Sequence, residues 1–469
     1  MDLSAVAAAP VAAAIESATT GSFRASGQQR LAAHGFCRAV GLAAVVGALA
    51  FSSMVFALEG PLTLAEAQRR AVEHSRQIPA QDAAIAASRN MAVAAGQLPD
   101  PVLRFGIDNL PIDGPDQFSL TRDFMTMRRI GVMQEFTRSE KRQLRAQRYE
   151  GEAEKSLAEK MASIASIQRD TALAWLDRYY AEAMAAVYAE QAGEVKLEIA
   201  AAESAYRAGR GTQADVFAAH STLAGLDDRI SEFNRRIGTA KTGLARWIGE
   251  GAEAPLEGKP GIDAIRMDTG ALETELEHHP QIAILSRQAE VASTEARIAQ
   301  ADKKADWTVE LAYSQRGPAF SNMVSVGVSI PLQWDQKNRQ DRELAAKLAM
   351  ADQARAQRDD MLRAHVAEVR SMIQEWQNGL ERTARYHTQL IPLARERTKA
   401  ALAAYLGNKA SLTDLLLARR NEIDTRMQSL QLQMESARLW AQLNFIFPEG
   451  AGTNHTSLPS GASTTKESK

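Results

Sequence analysis

The segment Tyr206-Arg-Ala-Gly-Arg-Gly-Thr-Gln-Ala-Asp215 recurs in the second half of the chain as Tyr405-Leu-Gly-Asn-Lys-Ala-Ser-Leu-Thr-Asp414. The two tyrosines are 199 residues apart, and so are the two aspartates. Further anchors repeat at similar offsets, namely His74 and His278, Lys141 and Lys337, Trp175 and Trp376, and Leu244 and Leu443. A period of this length exceeds the repeat units of solenoid proteins. The pattern therefore predicts two copies of one half-protein.

The composition narrows the class of protein. The chain has 469 residues, a formal net charge of −2 and 6% aromatic residues. This charge balance gives no sign of the basic face that nucleic-acid binding requires, so we expect no nucleic-acid partner. Cys37 is the single cysteine, and it precedes the apolar N-terminal stretch. The rest of the chain therefore offers no disulfide and no cysteine ligand for a metal.

Residues 1–57 predict an extension followed by a signal peptide. Arg24, Arg30 and Arg38 precede an uncharged run over residues 39–58, and Val55-Phe56-Ala57 offers a cleavage site. The alternative is a transmembrane anchor, because the uncharged run is about long enough to cross a bilayer.

The remaining chain divides by composition and by the repeat. Residues 58–250 form the first repeat, with the order helix, strand, strand, helix, helix. A linker rich in Gly and Pro follows over residues 251–270, and residues 271–448 form the second repeat. The tail over residues 449–469 is rich in Gly, Ser and Thr, and we expect it to be disordered.

Long helices dominate both repeats. Thr63-Leu-Ala-Glu66 is a capping-box pattern, and it predicts a first helix that continues to about Gln97. A very long helix is predicted over about residues 139–206, and its counterpart over about residues 337–405. At about 1.5 Å per residue each would span roughly 100 Å, and that length predicts coiled-coil packing.

Two short segments in each repeat alternate apolar and polar residues, which is the pattern of β-strands. The apolar members, which we predict to face lipid, are Leu103, Phe105, Ile107, Val309, Leu311, Val324, Val326 and Val328. The opposite face carries Gly106, Ala312, Ser325, Gly327 and Ser329. Four strands cannot close a membrane barrel, and an open edge in lipid leaves amides unpaired. Two or three copies must therefore complete it, and the small polar face favours three because twelve strands leave a lumen.

The chain resembles the TolC family of outer-membrane efflux proteins across nearly all of this region. The resemblance rests on Leu62-Thr-Leu-Ala-Glu-Ala67, on Pro99-Asp-Pro101, on Tyr206…Gly209…Asp215-Val-Phe-Ala-Ala, and on Tyr405…Asp414-Leu-Leu-Leu-Ala. It implies a mostly α fold with a small membrane β part, in which a homotrimer forms a 12-stranded β-barrel on an α-helical periplasmic tunnel. It also implies the passive exit duct of a tripartite pump in the cell outer membrane. Its partners would be outer-membrane lipid, a periplasmic adaptor protein and an inner-membrane transporter of RND type.

Two segments resemble the heavy-metal branch of that family more narrowly, Leu98–Pro111 and Met127–Phe136. They imply metal ions as cargo, with drugs as the other possibility. Two alternative functions remain open from the sequence. One is an outer-membrane conduit for protein secretion, and the other is a periplasmic coiled-coil scaffold that transports nothing.

The resemblance also assigns roles to the repeated motif. Asp414 and Asp215 are candidates for the periplasmic gate, because a ring of carboxylates around a narrow axis repels itself and binds cations. Capping of the returning helices is the competing role for both. Where the family carries a second carboxylate one turn later, this chain has Leu417. The adaptor-contacting tips would comprise Tyr206, Gly209, Gly211, Tyr405 and Asn408.

No pattern for catalysis, a cofactor or a metal site is found, so we expect no enzyme. Met125, Met127 and Met133 favour packing over soft-metal binding, and the adjacent His278 and His279 would point apart on a helix. We expect Trp175 and Trp376 to fill helix seams. The basic residues Lys141, Arg142, Arg145 and Arg148 predict a solvated helix face or one that reaches the membrane edge.

Overall fold

The structure is a computed structural model in which residues 60–449 are described. The predicted signal peptide, Cys37 and the tail beyond Glu449 lie outside the described residues. Within residues 60–449, no helix is both long enough and apolar enough to cross a bilayer.

The two repeats contain the same elements in the same order, apart from one interruption. The first repeat comprises α1 (Leu64–His74), α2 (Gln77–Ala95), β1 (Val102–Asp108), β2 (Met127–Phe136), α3 (Ser139–Arg207) and α4 (Gln213–Ile248). The second comprises α5 (Leu272–Glu277), α6 (Pro280–Asp302), β3 (Trp307–Gln315), β4 (Met323–Ser329), α7 (Gln340–Arg385), a π-helical turn (Tyr386–Leu390), α8 (Ile391–Leu406) and α9 (Leu412–Asn444). The order of helices and strands is therefore similar in the two halves of the described chain.

Matched tryptophans anchor the long helices to the segments that precede the first helix of each repeat. The indole N–H of Trp175 donates to the carbonyl oxygen of Leu62 at 3.1 Å, and that of Trp376 donates to Ile262 at 3.0 Å. Both indoles are buried, as is Leu62. The prediction that the two tryptophans fill helix seams is confirmed.

Two clusters of buried apolar side chains hold the helices together. The central cluster surrounds Trp175, Trp376 and Trp440 and includes the ends of α4 and α9 together with the linker. The distal cluster lies near the far end of α3, where Val195 and Ala202 meet residues of α4 and α9. Each cluster combines residues of both repeats, so neither repeat has a core of its own.

The four strands form one antiparallel sheet in the order β1-β2-β3-β4. In the pairing register Leu103 of β1 is paired with Val132 of β2. Val132 is in turn paired with Leu311 of β3, and Leu311 is paired with Val326 of β4. Residues directly opposite each other lie on the same face of a sheet. All eight predicted lipid-facing residues therefore share one face, and the small polar set shares the other. Strands β1 and β4 are the edges of this sheet.

Two predicted helices are interrupted. The first helix, expected to run from Thr63 to about Gln97, breaks after His74 because the Oγ atom of Ser75 accepts the N–H of Gln77 and starts α2. The second long helix, expected over residues 337–405, begins at Gln340 and is broken by the π-helical turn before Pro392. Proline has no N–H to give to the preceding turn. The first long helix, α3, is continuous over 69 residues as predicted.

The predicted solvated basic face at the start of α3 is wrong for Lys141. Its side chain is buried, and its Nζ atom lies 2.8 Å from Asp306 and 3.4 Å from Asp302. Desolvation opposes ionisation of Asp306, yet its hydrogen bonds to Lys141 and Arg138 lower its pKa below the ordinary value. These contacts fix the end of α6 and the start of β3 against α3.

Candidate functional site

Both hairpin tips turn through a left-handed residue at the same place in the repeated motif. Gly209 has φ of 71° and Asn408 has φ of 56°, each three residues after its matched tyrosine. The turns are closed by N–H groups that donate to the last carbonyls of the helix, such as Arg210 to Ala205 and Lys409 to Ala404. Asparagine is one of the few residues other than glycine that adopts this conformation routinely. The second tip therefore keeps the geometry without the glycine.

Asp215 and Asp414 both close capping boxes on the returning helices. The Asp414 carboxylate accepts the Ser411 N–H at 3.1 Å and the Ser411 hydroxyl at 2.7 Å, while Ser411 Oγ accepts the Asp414 N–H at 3.2 Å. Asp215 makes the same three bonds with Thr212. The hydrogen bonds from the Ser411 side chain and backbone lower the pKa of Asp414. The capping role of both aspartates is thus observed, and their gate role remains a prediction.

The tips expose apolar side chains and also the basic side chains of Arg207, Arg210 and Lys409. Tyr206, Phe217, Leu406 and Leu417 are exposed at the two tips. Gly211 lies in the first turn, where its N–H donates to Ala205. The tips of the two repeats also come together, because Asp215 and Glu198 both contribute, after burial, to the raised pKa of Tyr405. Their adaptor role is a prediction that the single chain does not test.

A buried ion pair that the sequence analysis did not predict joins the two hairpins behind the tips. The guanidinium of Arg419 in α9 donates to Glu198 in α3 at 2.7 Å and 3.0 Å, and both side chains are buried. Gln191 accepts a third, longer bond from Arg419 at 3.4 Å. Nearer the sheet, Arg426 pairs with Glu190 at 2.6 Å. The partners are more than 200 residues apart, so no local pattern could connect them.

The two faces of the sheet differ in chemistry. On the apolar face Phe105 is 83% exposed and Val326 is 71% exposed in the single chain, and contiguous exposed apolar surfaces mark sites of contact with proteins or membranes. On the opposite face Arg129 donates to Glu310 at 2.8 Å and lies 3.7 Å from Asp108. This ion-paired network spans three strands, and no such pair lies on the apolar face of the described strands.

The histidines and carboxylates of the described residues were candidates for a metal-binding group. Within residues 60–449 there is no group of three or more His, Cys, Asp or Glu side chains that could hold a metal ion. His278 is exposed and its Nδ1 atom bonds Thr274, whereas His279 meets His365 from α7. The sequence analysis missed this second contact, because it considered only the neighbours along one helix.

No protein-family model and no curated protein matches the sequence. Solved structures do match the fold. VceC from Vibrio cholerae, an outer membrane protein, is 19% identical, with a TM-score of 0.67 over 82% of this chain and 95% of VceC. The outer-membrane channel OprN is 17% identical, with a TM-score of 0.68 over 82% of this chain and 90% of OprN. CusC is 13% identical, with a TM-score of 0.69 over 81% of this chain and 92% of CusC.

The chain has the TolC-family fold. The resemblance that the duplicated motifs indicated is confirmed at this level. The TM-scores to CusC and VceC are nearly equal, so the narrower resemblance to the heavy-metal branch stays a prediction.

Proposed function

We propose that this chain is the outer-membrane channel of a tripartite efflux pump and acts as a passive exit duct. One observation carries the proposal. A four-stranded sheet with an exposed apolar face and two edge strands is attached to helices of up to 69 residues. An unpaired strand edge in lipid costs several kcal/mol for each unsatisfied group. The sheet therefore requires further copies of itself to enter a membrane.

Three copies satisfy the geometry best. They would join β1 of one copy to β4 of the next and close twelve strands, which leaves room for a lumen. The polar face with Arg129 and Glu310 would then line the lumen, and the apolar face would meet lipid. The long helices would continue on one side as the periplasmic tunnel.

The hairpin tips are the proposed contact for a periplasmic adaptor, which would connect the duct to an inner-membrane transporter of RND type. Exposed Tyr206, Phe217, Leu406 and Leu417 supply apolar area, and Gly209 and Asn408 supply tight turns that project it. Asp414 and Asp215 are the proposed gate residues. As caps they would fix the start of each returning helix at the narrow end of the tunnel.

We propose metal ions as the cargo, with drugs as the alternative. The segments Leu98–Pro111 and Met127–Phe136 favour metal ions by resemblance. A deletion strain challenged with copper, silver and zinc salts and with a panel of drugs would separate the two classes.

The experiment that tests the proposed function combines fractionation with conductance. The protein should be recovered with the outer membrane, and the detergent-solubilised protein should form ion-conducting pores in planar bilayers. A periplasmic scaffold would be recovered without detergent and would conduct nothing. A protein-secretion conduit would conduct ions, but its loss would leave metal and drug sensitivity unchanged and would block export of a protein.

A further inference from the structure

A cavity of about 700 Å³ lies where α3, α6 and α7 meet the segment that follows α9. Its floor is apolar and includes Leu276, Val369 and Phe445. Its charged and titratable lining comprises Glu159, Arg169, His279, His365 and Glu368. None of these residues belongs to the tips or to the sheet. The two histidines come from different helices and face each other with ring centroids 4.9 Å apart.

His279 caps the first turn of α6. Its Nδ1 atom accepts the backbone N–H of Gln281 at 3.2 Å. An imidazole nitrogen accepts a hydrogen bond only when it carries no proton. The cap therefore requires the neutral ring with the proton on Nε2. In a protonated ring, the Nδ1–H of His279 would point at the backbone N–H of Gln281, and the hydrogen bond would be lost. The ring would also put a positive charge at the positive end of the helix dipole.

The ring of His365, which faces His279, has partners on both of its nitrogen sides. Its Nε2 atom lies 3.1 Å from the Oε1 atom of Gln281, and its Nδ1 atom lies 3.5 Å from the carboxylate of Glu368. Both partners offer oxygen atoms toward the ring of His365. A positive charge on His365 disfavours a second positive charge on the adjacent ring of His279.

The other helices and segments around the cavity do not reverse the preference of His279 for its neutral form. From α3, Arg169 adds a positive charge and pairs with Asp170 at 2.8 Å, while Glu159 lies 3.7 Å from Lys155. Helix α2 contributes the uncharged Gln81, and the segment after α9 contributes the ring of Phe447, edge-on to His279 at 6.0 Å. Burial, followed by the charges of His365 and Arg169, lowers the pKa of His279 from 6.5 to about 4.

The first repeat contains a similar bond from a backbone N–H to a side chain, without the titratable group, although Arg76 rather than Ser75 directly precedes α2. Ser75 occupies the position matched to His279, and its Oγ atom accepts the N–H of Gln77 at 3.2 Å. Counted back from the matched tryptophans, Ile164 occupies the position of His365. A serine hydroxyl accepts hydrogen bonds at any pH near neutrality. The chain thus provides an acid-insensitive version of the same helix start.

We propose that His279 is an acid-sensitive cap that releases the start of α6 when its ring is protonated, while the matched start of α2 remains capped. Helix α6 packs against α3 and α7 and leads directly into β3. Release of its first turn would loosen the second repeat at the level of the cavity and leave the first repeat intact.

The direction of the effect follows from linkage. His279 has a lower pKa in the folded chain than in the unfolded chain, so the unfolded state binds more protons below pH 6.5. Its contribution to stability is complete above about pH 6.5 and is lost as the pH falls toward about 4.

The test compares the full chain in detergent with its His279→Ser variant, which copies the cap of the first repeat. Thermal unfolding is followed by circular dichroism at neutral and acidic pH, together with hydrogen exchange of the first turn of α6. In the wild type, acidification should lower the unfolding midpoint and accelerate exchange there. His279→Ser should remove at least half of the acid-induced acceleration, and the control His278→Ser should remove none. Equal acceleration in the wild type and His279→Ser would overturn the proposal.

A second variant covers the case in which His279→Ser does not fold. His365→Gln removes the neighbouring charge but leaves the His279 cap in place. The acid-induced exchange at α6 should then begin at higher pH than in the wild type, because protonation of His279 becomes easier. An unchanged pH profile of exchange at α6 in His365→Gln would contradict the coupling between the two rings.

Discussion

The two long helices of the molecule come from matched sequences but differ in continuity. Helix α3 runs without a break over 69 residues, whereas its counterpart is divided into α7, a π-helical turn and α8. Many side chains of α3 are buried along its whole length, while Thr398 is the single buried residue of α8 among those described. The distal part of the second repeat therefore leaves most of its surface exposed in the single chain.

The difference in continuity between the two long helices coincides with a difference in residue type at one matched position. Counted back from the tyrosines Tyr206 and Tyr405, the first repeat has Gly193 where the second has Pro392. Both residues disfavour a helix interior, but proline costs about 3 kcal/mol and glycine about 1 kcal/mol relative to alanine. The Thr388 hydroxyl also bonds back to the Ala384 carbonyl at 2.9 Å, which favours bending. Single residues such as Gly193 and Pro392 therefore decide whether a long helix is continuous, although the order of elements repeats along the chain.

The largest effect should come from a charge on the apolar face of either edge strand. Phe105→Glu in β1 and Val326→Glu in β4 should both abolish membrane assembly. A charge on the lipid face of a barrel costs about 2–4 kcal/mol at the bilayer centre for Arg or Lys and less for Glu, but three copies would each carry one. Assembly is measured as the yield of oligomer extracted from the outer membrane.

Ser325→Glu is the matched control for this prediction, because Ser325 neighbours Val326 but lies on the opposite face. It should assemble nearly as well as the wild type. Normal oligomers from Val326→Glu would show that this face does not meet lipid, and a defect in one repeat alone would show that the two edges are not equivalent.

The next largest effect concerns the ion pair that joins the two repeats. Arg419→Met should destabilise the fold by about 3–5 kcal/mol, because it leaves the Glu198 carboxylate buried without its partner. The double variant Arg419→Met, Glu198→Leu should recover most of that loss, since it removes both charges. Denaturant unfolding measures both. The control Arg420→Ala concerns an exposed pair with Asp424 and should change little. Equal losses in Arg419→Met and Arg420→Ala would contradict the structural role of the buried pair.

A smaller effect should follow from exchanging the residues that distinguish the long helices. Gly193→Pro should interrupt α3 at a cost of about 3 kcal/mol, and Gly193→Ala should stabilise it by about 0.5–1 kcal/mol. Pro392→Ala should slow hydrogen exchange around the π-helical turn. If Gly193→Pro were as stable as the wild type, continuity of α3 would be irrelevant to the fold.

The smallest effect is expected at the tips. Asp414→Ala removes a cap and one carboxylate from the proposed gate, so it should raise ion leak through closed channels in planar bilayers. Asp215→Ala removes the equivalent cap in the first repeat. A larger leak for Asp414→Ala would assign the gate to the second repeat. Unchanged conductance in Asp414→Ala would remove Asp414 from the gate and leave it as a cap.

The sequence predicted those features that depend on local periodicity. Alternation assigned Phe105 and Val326 to one face, and the repeated spacing identified Asp215 and Asp414 as matched residues that could cap the returning helices. Their capping geometry follows from residues three positions apart, which is within reach of sequence reasoning.

The features that the sequence did not predict depend on which faces of neighbouring helices are in contact. The contacts of Arg419 with Glu198 and of His279 with His365 join residues far apart in the chain, and periodicity does not specify the neighbouring helix. The break at Ser75 was missed because a helical pattern continues on both sides of it. The interruption before Pro392 was missed although the proline itself was visible.

The most direct test of the central claim is the mass of the detergent-solubilised particle by native mass spectrometry. The claim is that one chain contributes four strands to a barrel that needs further copies to close. The account predicts a particle of three chains that dissociates only with loss of the sheet. A stable particle of a single chain, soluble without detergent and with Phe105 and Val326 protected from solvent, would contradict it.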